Sequence, residues 1–251
     1  MEAASVAATG IAEPQQQISD FGRVIGALTS PGATFADIVR KPKWVTPVLL
    51  STVLGLAFSF VMNQRINWQS FIIKQIEKSP RGADLSYEQK AQQAAMGAKF
   101  SRGITYAIGA CGAILGAVIL GGIYLLLFNV MGGAGTNFKT AMSIVAHAQM
   151  TGLVFGPLTI IVMLLRPYGD VDPENMIATS VSAFLPEDAP RWLQSIGQSV
   201  ELFWIWTMVL LAIGFAATNP KRLSTGKAFA LIAGLWVVWM MIKAGGAAMF
   251  S

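Results

Sequence analysis

The side chains that could carry chemistry are few, and they lie within or beside long apolar runs. His147 is the single histidine of the chain and sits inside such a run, where an ionisable group is a candidate proton or ligand site. It could instead make a neutral hydrogen bond between helices, with Asn129 or Gln149 as partner, and we favour this second interpretation. A histidine metal cluster is excluded, because it needs more than one histidine.

Charged residues near the ends of the apolar runs form a second group of candidates. Arg166 and Glu201 are predicted on the same membrane face, so we expect an ion pair that stabilises the structure rather than a catalytic pair. Asp170, Asp172 and Glu174 alternate like part of a calcium loop. They lack the glycine and the distant glutamate of an EF-hand, so a solvated loop with helix caps is the better interpretation.

Established catalytic motifs are absent from the sequence. It has no Gly-x-x-x-x-Gly-Lys-Ser/Thr phosphate loop, no Gly-x-Ser-x-Gly elbow and no His-Glu-x-x-His. We therefore predict no enzyme activity, no cofactor and no metal. The net charge of +5 is modest, which gives no reason to expect a nucleic-acid partner. Cys111 is the single cysteine, and we expect it to be a small packing residue.

Long membrane helices must position these groups. The chain is 54% hydrophobic and 12% charged, whereas soluble domains carry about 25% charged residues. Residues 103–131 contain no charge and exceed the roughly 20 residues that cross a bilayer. A glycine-rich turn at 132–139 separates them from a second apolar run, 141–165, which the pair Gly156-Pro157 interrupts. The sequence predicts a central transmembrane hairpin.

Small residues recur at helical spacing on both arms of this hairpin. Since lipid removes the hydrophobic drive between helices, small side chains let backbones approach closely and pack. We expect such packing at Gly112, Gly116, Ala148, Gly152 and Gly156.

The other apolar runs complete the predicted fold. We expect an all-α, polytopic membrane bundle of five transmembrane helices within residues 45–251, with spans at about 45–62, 103–131, 141–165, 200–217 and 228–250. Residues 1–17 are predicted to form a disordered tail. Residues 18–44 are predicted to form short amphipathic interfacial helices with Arg23, Arg40, Lys41 and Lys43 turned to lipid headgroups. The alternative is that these helices pack on a soluble partner.

A polar helix is predicted to precede the first arm of the hairpin. Ser86 and Gln89 have the spacing of a capping box, which indicates a helix start. At 1.5 Å per residue the run 103–131 alone would be about 42 Å long, against a hydrocarbon core of about 30 Å. The helix must therefore tilt or project from the membrane.

Orientation depends on the cations that flank the spans. A bare count slightly favours an external N terminus. The clusters nearest span ends, at 40–43 and 221–227, instead favour a cytoplasmic N terminus. The start of the chain also lacks the pattern of a secretory signal. We predict a multi-pass protein of the cell (inner) membrane with the N terminus in the cytoplasm.

Four stretches together resemble the bacterial branch of the Yip1 family of five-span membrane proteins. They are residues 30–47 (SPGATFADIVRKPKWVTP), 86–90 (SYEQK), the 132–139 turn with its TNFK, and 199–206 (SVELFWIW), where such proteins often have aspartate at the position of Glu201. The resemblance covers residues 30–245 and implies the five-helix fold. It also draws attention to Asn137 and Lys139 of the turn as candidate functional positions.

The resemblance implies a non-enzymatic role. Eukaryotic relatives bind small prenylated GTPases and one another in Golgi and endoplasmic-reticulum traffic. Their long acidic N-terminal domain, with its Asp-Leu-Tyr-Gly-Pro motif, is not found in this sequence, which argues against a GTPase partner.

Two functions follow as hypotheses. The first is a membrane scaffold or adaptor that engages the lipid bilayer, a partner membrane protein or a second copy of itself. The second is a small-molecule or ion permease, or a permease subunit, with Asn129, His147 and Gln149 lining a path. Discontinuous helices and internal repeats would favour the permease.

Overall fold

The structure, a computed structural model, describes residues 18–79, 82, 84–173, 176–186 and 189–249. The predicted tail at 1–17 lies outside the described residues. Within them the chain forms α-helices, with one isolated β-bridge and no strand. The helices are α1 (Asp20–Thr29), α2 (Pro31–Arg40), α3 (Val45–Arg65), α4 (Trp68–Glu77), α5 (Tyr87–Leu127), α6 (Phe138–Ala148), α7 (Gly152–Leu165), α8 (Arg191–Ser199), α9 (Leu202–Ala216) and α10 (Thr225–Met249).

Four helical segments of the described chain are long and apolar enough to cross a membrane: α3, α5 with its last turn, α6 joined to α7, and α10. The all-α polytopic bundle predicted from the sequence is therefore confirmed. The remaining apolar helix, α9, has 15 residues and is about 22 Å long at 1.5 Å per residue. It is shorter than the predicted span 200–217 and shorter than a hydrocarbon core of about 30 Å.

The long helix begins and ends at recognisable signals. The Ser86 side chain accepts from the Gln89 backbone while the Gln89 side chain accepts from the Ser86 backbone, which is the predicted capping box. From Tyr87 to Gly132 the helix runs for 46 residues and closes in a π-helical turn, Phe128–Gly132. Gly133 and Gly135 then take positive φ values of 65° and 63°, which glycine adopts without strain. This turn reverses the chain into α6.

The core surrounds α6. Every residue from Thr140 to Ala148 is buried, because α6 is packed by α5, α9 and α2. Two aromatic side chains of this core are stacked: the ring centroids of Phe128 and Phe215 lie 4.2 Å apart. Phe35 of α2 is fully buried in the same cluster. The polar side chains of α6 are satisfied within the helix, since Ser143 donates to the Lys139 carbonyl and His147 to the Ser143 carbonyl, both at 2.8 Å.

The N-terminal helices pack on the bundle rather than facing headgroups on their own. Phe35 and Ile38 of α2 are fully buried, and Arg23 of α1 is only 2% exposed. Its guanidinium lies 2.7 Å from the Asp37 carboxylate and donates to the Lys41 carbonyl at 2.9 Å. The prediction that Arg23 reaches lipid headgroups is therefore wrong. A buried arginine needs a partner to offset its desolvation, and α2 provides one.

A close backbone contact joins α3 to α5. A Cβ added to Gly109 would lie 2.6 Å from the carbonyl oxygen of Gly55, so only glycine allows this approach. Ser59 bridges the same contact by donating to the Thr105 carbonyl at 2.8 Å, and Asn63 donates to the Thr105 hydroxyl at 2.8 Å. Small residues and interhelical hydrogen bonds together hold these two helices.

Only some of the small residues predicted to pack the hairpin contact other parts of the chain. A Cβ on Gly152 would meet nothing within 4 Å, and one on Gly112 would meet only Ile108 of its own helix. The packing prediction is therefore wrong for these two glycines, because a Cβ at either position would contact no other helix of the chain. Gly156 lies against Leu54 of α3 and Gly116 against Gln149. Ala148 is fully buried in the core around α6.

We expect Gly109→Ala to destabilise the protein by about 1–3 kcal/mol, because the new methyl group would overlap the Gly55 carbonyl and push the helices apart. The matched control is Gly122→Ala on the same helix, where a Cβ meets nothing within 4 Å. Thermal unfolding in detergent measures both, at about 2–4 °C per kcal/mol for a chain of this size. Equal melting temperatures for the two variants would contradict the assigned contact.

Candidate functional site

The second arm of the hairpin is not one continuous helix. A short 3-10 turn, Gln149–Thr151, separates α6 from α7, whereas the sequence suggested an interruption at Gly156-Pro157. Pro157 is accommodated inside α7. At the 3-10 turn, Thr151 is buried and its hydroxyl lies 2.7 Å from that of Thr207 in α9. Thr207 donates to the Phe203 carbonyl at 2.8 Å, so Thr151 is the donor of the pair.

The Thr151–Thr207 bond places the sixth residue of α9 beside the start of α7. The 14 residues of α7 follow Thr151 and extend for about 21 Å. From Thr207 to its first residue, Leu202, α9 extends for only about 8 Å. With the axes of α7 and α9 taken as antiparallel, the first residue of α9 lies about 13 Å short of the end of α7. The connection between the two helices must enter the bundle to meet it.

Two segments of that connection, residues 179–181 and 200–202, pair with each other. Ser180 and Glu201 form an isolated antiparallel bridge. The Val181 amide donates to the Val200 carbonyl at 3.0 Å, and the Leu202 amide donates to the Thr179 carbonyl at 3.1 Å. Non-helical backbone at membrane depth is tolerated where it is buried in protein or lines a cavity, and this bridge supplies its hydrogen bonds.

Glu201 caps α9 rather than pairing with Arg166. One carboxylate oxygen accepts from the Phe203 amide at 3.1 Å, and the other accepts from the Trp204 amide at 2.9 Å. A carboxylate at a helix N terminus satisfies free amides and interacts favourably with the helix dipole. In the described part of the chain Glu201 makes no ion pair with Arg166, so the predicted pair is wrong. The predicted span 200–217 included Glu201, whereas in the structure Glu201 is the N-cap that precedes α9.

A cavity of about 360 Å³ lies where the broken helix faces the start of α9. Its walls are mostly apolar, with a few polar side chains; the lining includes Gln149, Gly152, Phe155, Glu201, Phe203 and Trp204. Phe155 and Phe203 meet edge to face with centroids 5.2 Å apart. Two of the predicted candidates, Gln149 and Glu201, thus share one cavity. An apolar pocket with a few polar groups is typical of a small-molecule site.

The other intramembrane candidates lie elsewhere. His147 is buried, and its Nδ1 donates to the Ser143 carbonyl one turn earlier at 2.8 Å. The Asn129 amide accepts from the Thr136 backbone amide and donates to its carbonyl, both at 2.9 Å, and so closes the hairpin turn. The predicted bond from His147 to Asn129 or Gln149 is therefore wrong. Both side chains serve the fold locally.

The candidates of the turn, Asn137 and Lys139, do not line the cavity either. Asn137 caps α6 by accepting from the Thr140 amide at 3.0 Å, and Lys139 is exposed. Glu174 lies outside the described residues. Within the residues that the structure describes, no group of three or more histidine, cysteine or acidic side chains could hold a metal ion.

The described residues define an α-helical, multi-pass membrane protein in which the broken span α6–α7 and the short helix α9 line a cavity. The sequence profile described as "Yip1 domain" matches residues 25–245. The chain therefore belongs to the Yip1 domain family, and the resemblance noted in its sequence is confirmed.

One curated relative extends over nearly the same length. The chain is 27% identical over 228 residues to the Bacillus subtilis (strain 168) protein named "Membrane protein YknW". The match covers 88% of this chain and 89% of that protein. No solved structure gives a significant match. The relative's name supports a membrane protein.

The structure predicts independent roles for Arg166 and Glu201. Glu201→Ala should cost about 1 kcal/mol because α9 loses its cap. Combining it with Arg166→Ala should give the sum of the two single effects, to within about 0.5 kcal/mol. Thermal or denaturant unfolding of the four proteins of this double-mutant cycle measures the coupling. A coupling clearly above that margin would restore the ion pair and contradict the capping assignment.

Proposed function

We propose that this protein is a non-enzymatic membrane adaptor that holds a partner membrane protein through a helical pair projecting from the bilayer. The observation that carries the proposal is the length of α5. Its 46 residues up to Gly132 extend for about 69 Å, more than twice the hydrocarbon core of about 30 Å. The apolar run begins at Gly103, so residues 87–102 lie in the headgroup region or in water.

The projecting part of α5 is rigid because α4 packs along it. Gly97 of α5 lies against Ile72 of α4, and Ala94 and Ala98 are buried in this contact region. At the base of α4, Trp68 donates from its indole to the Asn63 side chain of α3 at 2.8 Å. The pair α4–α5 is thus anchored to the spans and is a suitable support for a partner.

The outer face of this pair carries apolar side chains that the chain itself does not cover. Met96 is 63% exposed and Phe100 is 70% exposed. They lie four residues apart on one helical face, beside exposed Gln92 and Lys99. Apolar side chains exposed beside polar ones outside the bilayer core are typical of protein–protein or membrane-surface contacts.

The permease alternative has one supporting observation, the break at 149–151 with its cavity. Discontinuous helices and a site near the midplane occur in secondary transporters. Of the three polar residues proposed to line a path, however, only Gln149 contacts the cavity. His147 and Asn129 are engaged elsewhere. We therefore favour the adaptor.

We further propose that the protein resides in the cell (inner) membrane with a cytoplasmic N terminus, as the cation clusters at 40–43 and 221–227 favour. The α4–α5 pair would then face the outside of the cell. Its partner would be a membrane protein with an extracytoplasmic surface, or a second copy of this chain.

The adaptor proposal is tested by placing a photo-crosslinking amino acid at Phe100 in native membranes. We expect a discrete protein adduct, because a docked partner would cover the Met96–Phe100 face. The matched control is Leu126, which is 67% exposed on the apolar part of the same helix and should react with lipid. Two co-expressed tags of different mass distinguish a second copy from a different protein. Identical patterns at both positions, or no protein adduct at Phe100, would contradict the proposal.

The side of the membrane is read from the exposed start of α5. In a Cys111→Ala background, Glu88→Cys, which is exposed, should react with a membrane-impermeant thiol reagent in intact cells. Ser224→Cys, between α9 and α10, should be labelled only after the cells are opened. The reverse pattern would place the α4–α5 pair in the cytoplasm.

A further inference from the structure

The cavity beside Gln149 and Glu201 is separate from the projecting α4–α5 pair, and the adaptor proposal does not use it. Its lining joins the 3-10 turn and first turn of α7, the first turns of α9 and, from the α7–α9 connection, described residues within 173–180 and Gln198. At about 360 Å³ it falls within the lower part of the size range of small-molecule sites.

Glu201 gives the cavity a negative charge. Of the described residues that line it, Glu201 alone carries a charge. Its two oxygens each accept one backbone amide, yet an ionised carboxylate offers about four acceptor positions. Lys243 of α10 donates to the Ser199 hydroxyl at 3.3 Å and makes no salt bridge with Glu201 in the described part of the chain. The unused positions can therefore accept from a ligand donor. A charged group at this depth is costly, and such groups usually serve a ligand or a partner.

The rest of the lining suits a cation on an apolar body. Phe155, Phe203 and Trp204 contribute aromatic rings, which offer a large apolar surface to the rest of such a molecule. Trp204 is 55% exposed, so the cavity is open towards the surroundings of the helix bundle. Among the described residues, the Gln149 side chain makes no hydrogen bond within the protein. Its amide lies against Gly116 of α5, and the residue lines the cavity.

We propose that this cavity binds an amphiphile with an ammonium headgroup, placing the ammonium at Glu201 and the apolar part among Phe155, Phe203 and Trp204. Two sources provide this chemistry: an aminophospholipid from the bilayer, or a free alkylamine. An anionic amphiphile is disfavoured, because it would face the Glu201 carboxylate.

Gly152 supplies a means of closing the cavity without disturbing the fold. It lines the cavity, and a Cβ added there meets nothing within 4 Å. Its backbone is right-handed helical, with φ −59° and ψ −25°, so leucine is conformationally allowed. Gly152→Leu should fill the cavity and leave the melting temperature unchanged or slightly raised. Gly234→Leu on α10, where the space is also open, is the matched control.

The test reconstitutes the full chain in nanodiscs of equal phosphatidylethanolamine and phosphatidylglycerol, followed by extraction and native mass spectrometry of the retained lipid. Wild-type protein and Gly234→Leu should retain phosphatidylethanolamine with about threefold enrichment over the bulk ratio. Gly152→Leu should lose the adduct. Glu201→Gln, which keeps a side-chain oxygen for the cap, should bind with the enrichment reduced to the bulk ratio.

A second arm separates the two sources of the ammonium group. In discs of phosphatidylglycerol alone, added dodecylamine should form an adduct that dodecanol does not form, and Gly152→Leu should abolish it. Enrichment of the aminophospholipid assigns the cavity to lipid, whereas a dodecylamine adduct without that enrichment assigns it to a free amine. The proposal is overturned if neither is bound, if phosphatidylglycerol is enriched, or if folded Gly152→Leu retains the wild-type adduct.

Discussion

The structure depends on one constraint: a helix too short to cross the bilayer must have its backbone groups satisfied where it stops. The 15 residues of α9 reach about 22 Å of a core of about 30 Å. Free amides at its first turn would be costly in a medium without water. Glu201 accepts two of them, and the bridge between Ser180 and Glu201 brings the connecting chain to the same depth. The cavity is the space left between that connection and the broken span.

Much of the fold could be predicted because its signals are local. Apolar runs reveal the long spans, and the capping box at Ser86 and Gln89 is visible as spacing alone. The features that failed depend on which surfaces meet. Periodicity showed an amphipathic α1 but could not show that Asp37 of the next helix would bury Arg23. Glycines at regular spacing are common in membrane helices, so the sequence could not distinguish the contact at Gly109 from the open space at Gly152.

The sequence indicated individual residues of the site but not their arrangement. Gln149 and Glu201 stand out as polar residues in apolar surroundings, but their meeting in one cavity follows from the early start of α9. The Thr151–Thr207 bond that sets this register joins two residues of a common type, 56 positions apart, and carried no signal. This member of the Yip1 domain family therefore has two distinct surfaces. The projecting α4–α5 pair suits a protein partner, and the inner cavity suits an amphiphile.

The most direct test of the account is the relative membrane depth of the starting residue of α9 and the last residue of α7. Leu202 and Leu165 are 62% and 80% exposed, so each accepts a nitroxide on a substituted cysteine in a Cys111→Ala background. Collision rates with oxygen and with a water-soluble nickel complex report the depth of each label in reconstituted bilayers. The account predicts that the label at Leu202 lies deeper by about 13 Å. Equal depths at the two positions would contradict it, because α9 would then begin at the membrane surface.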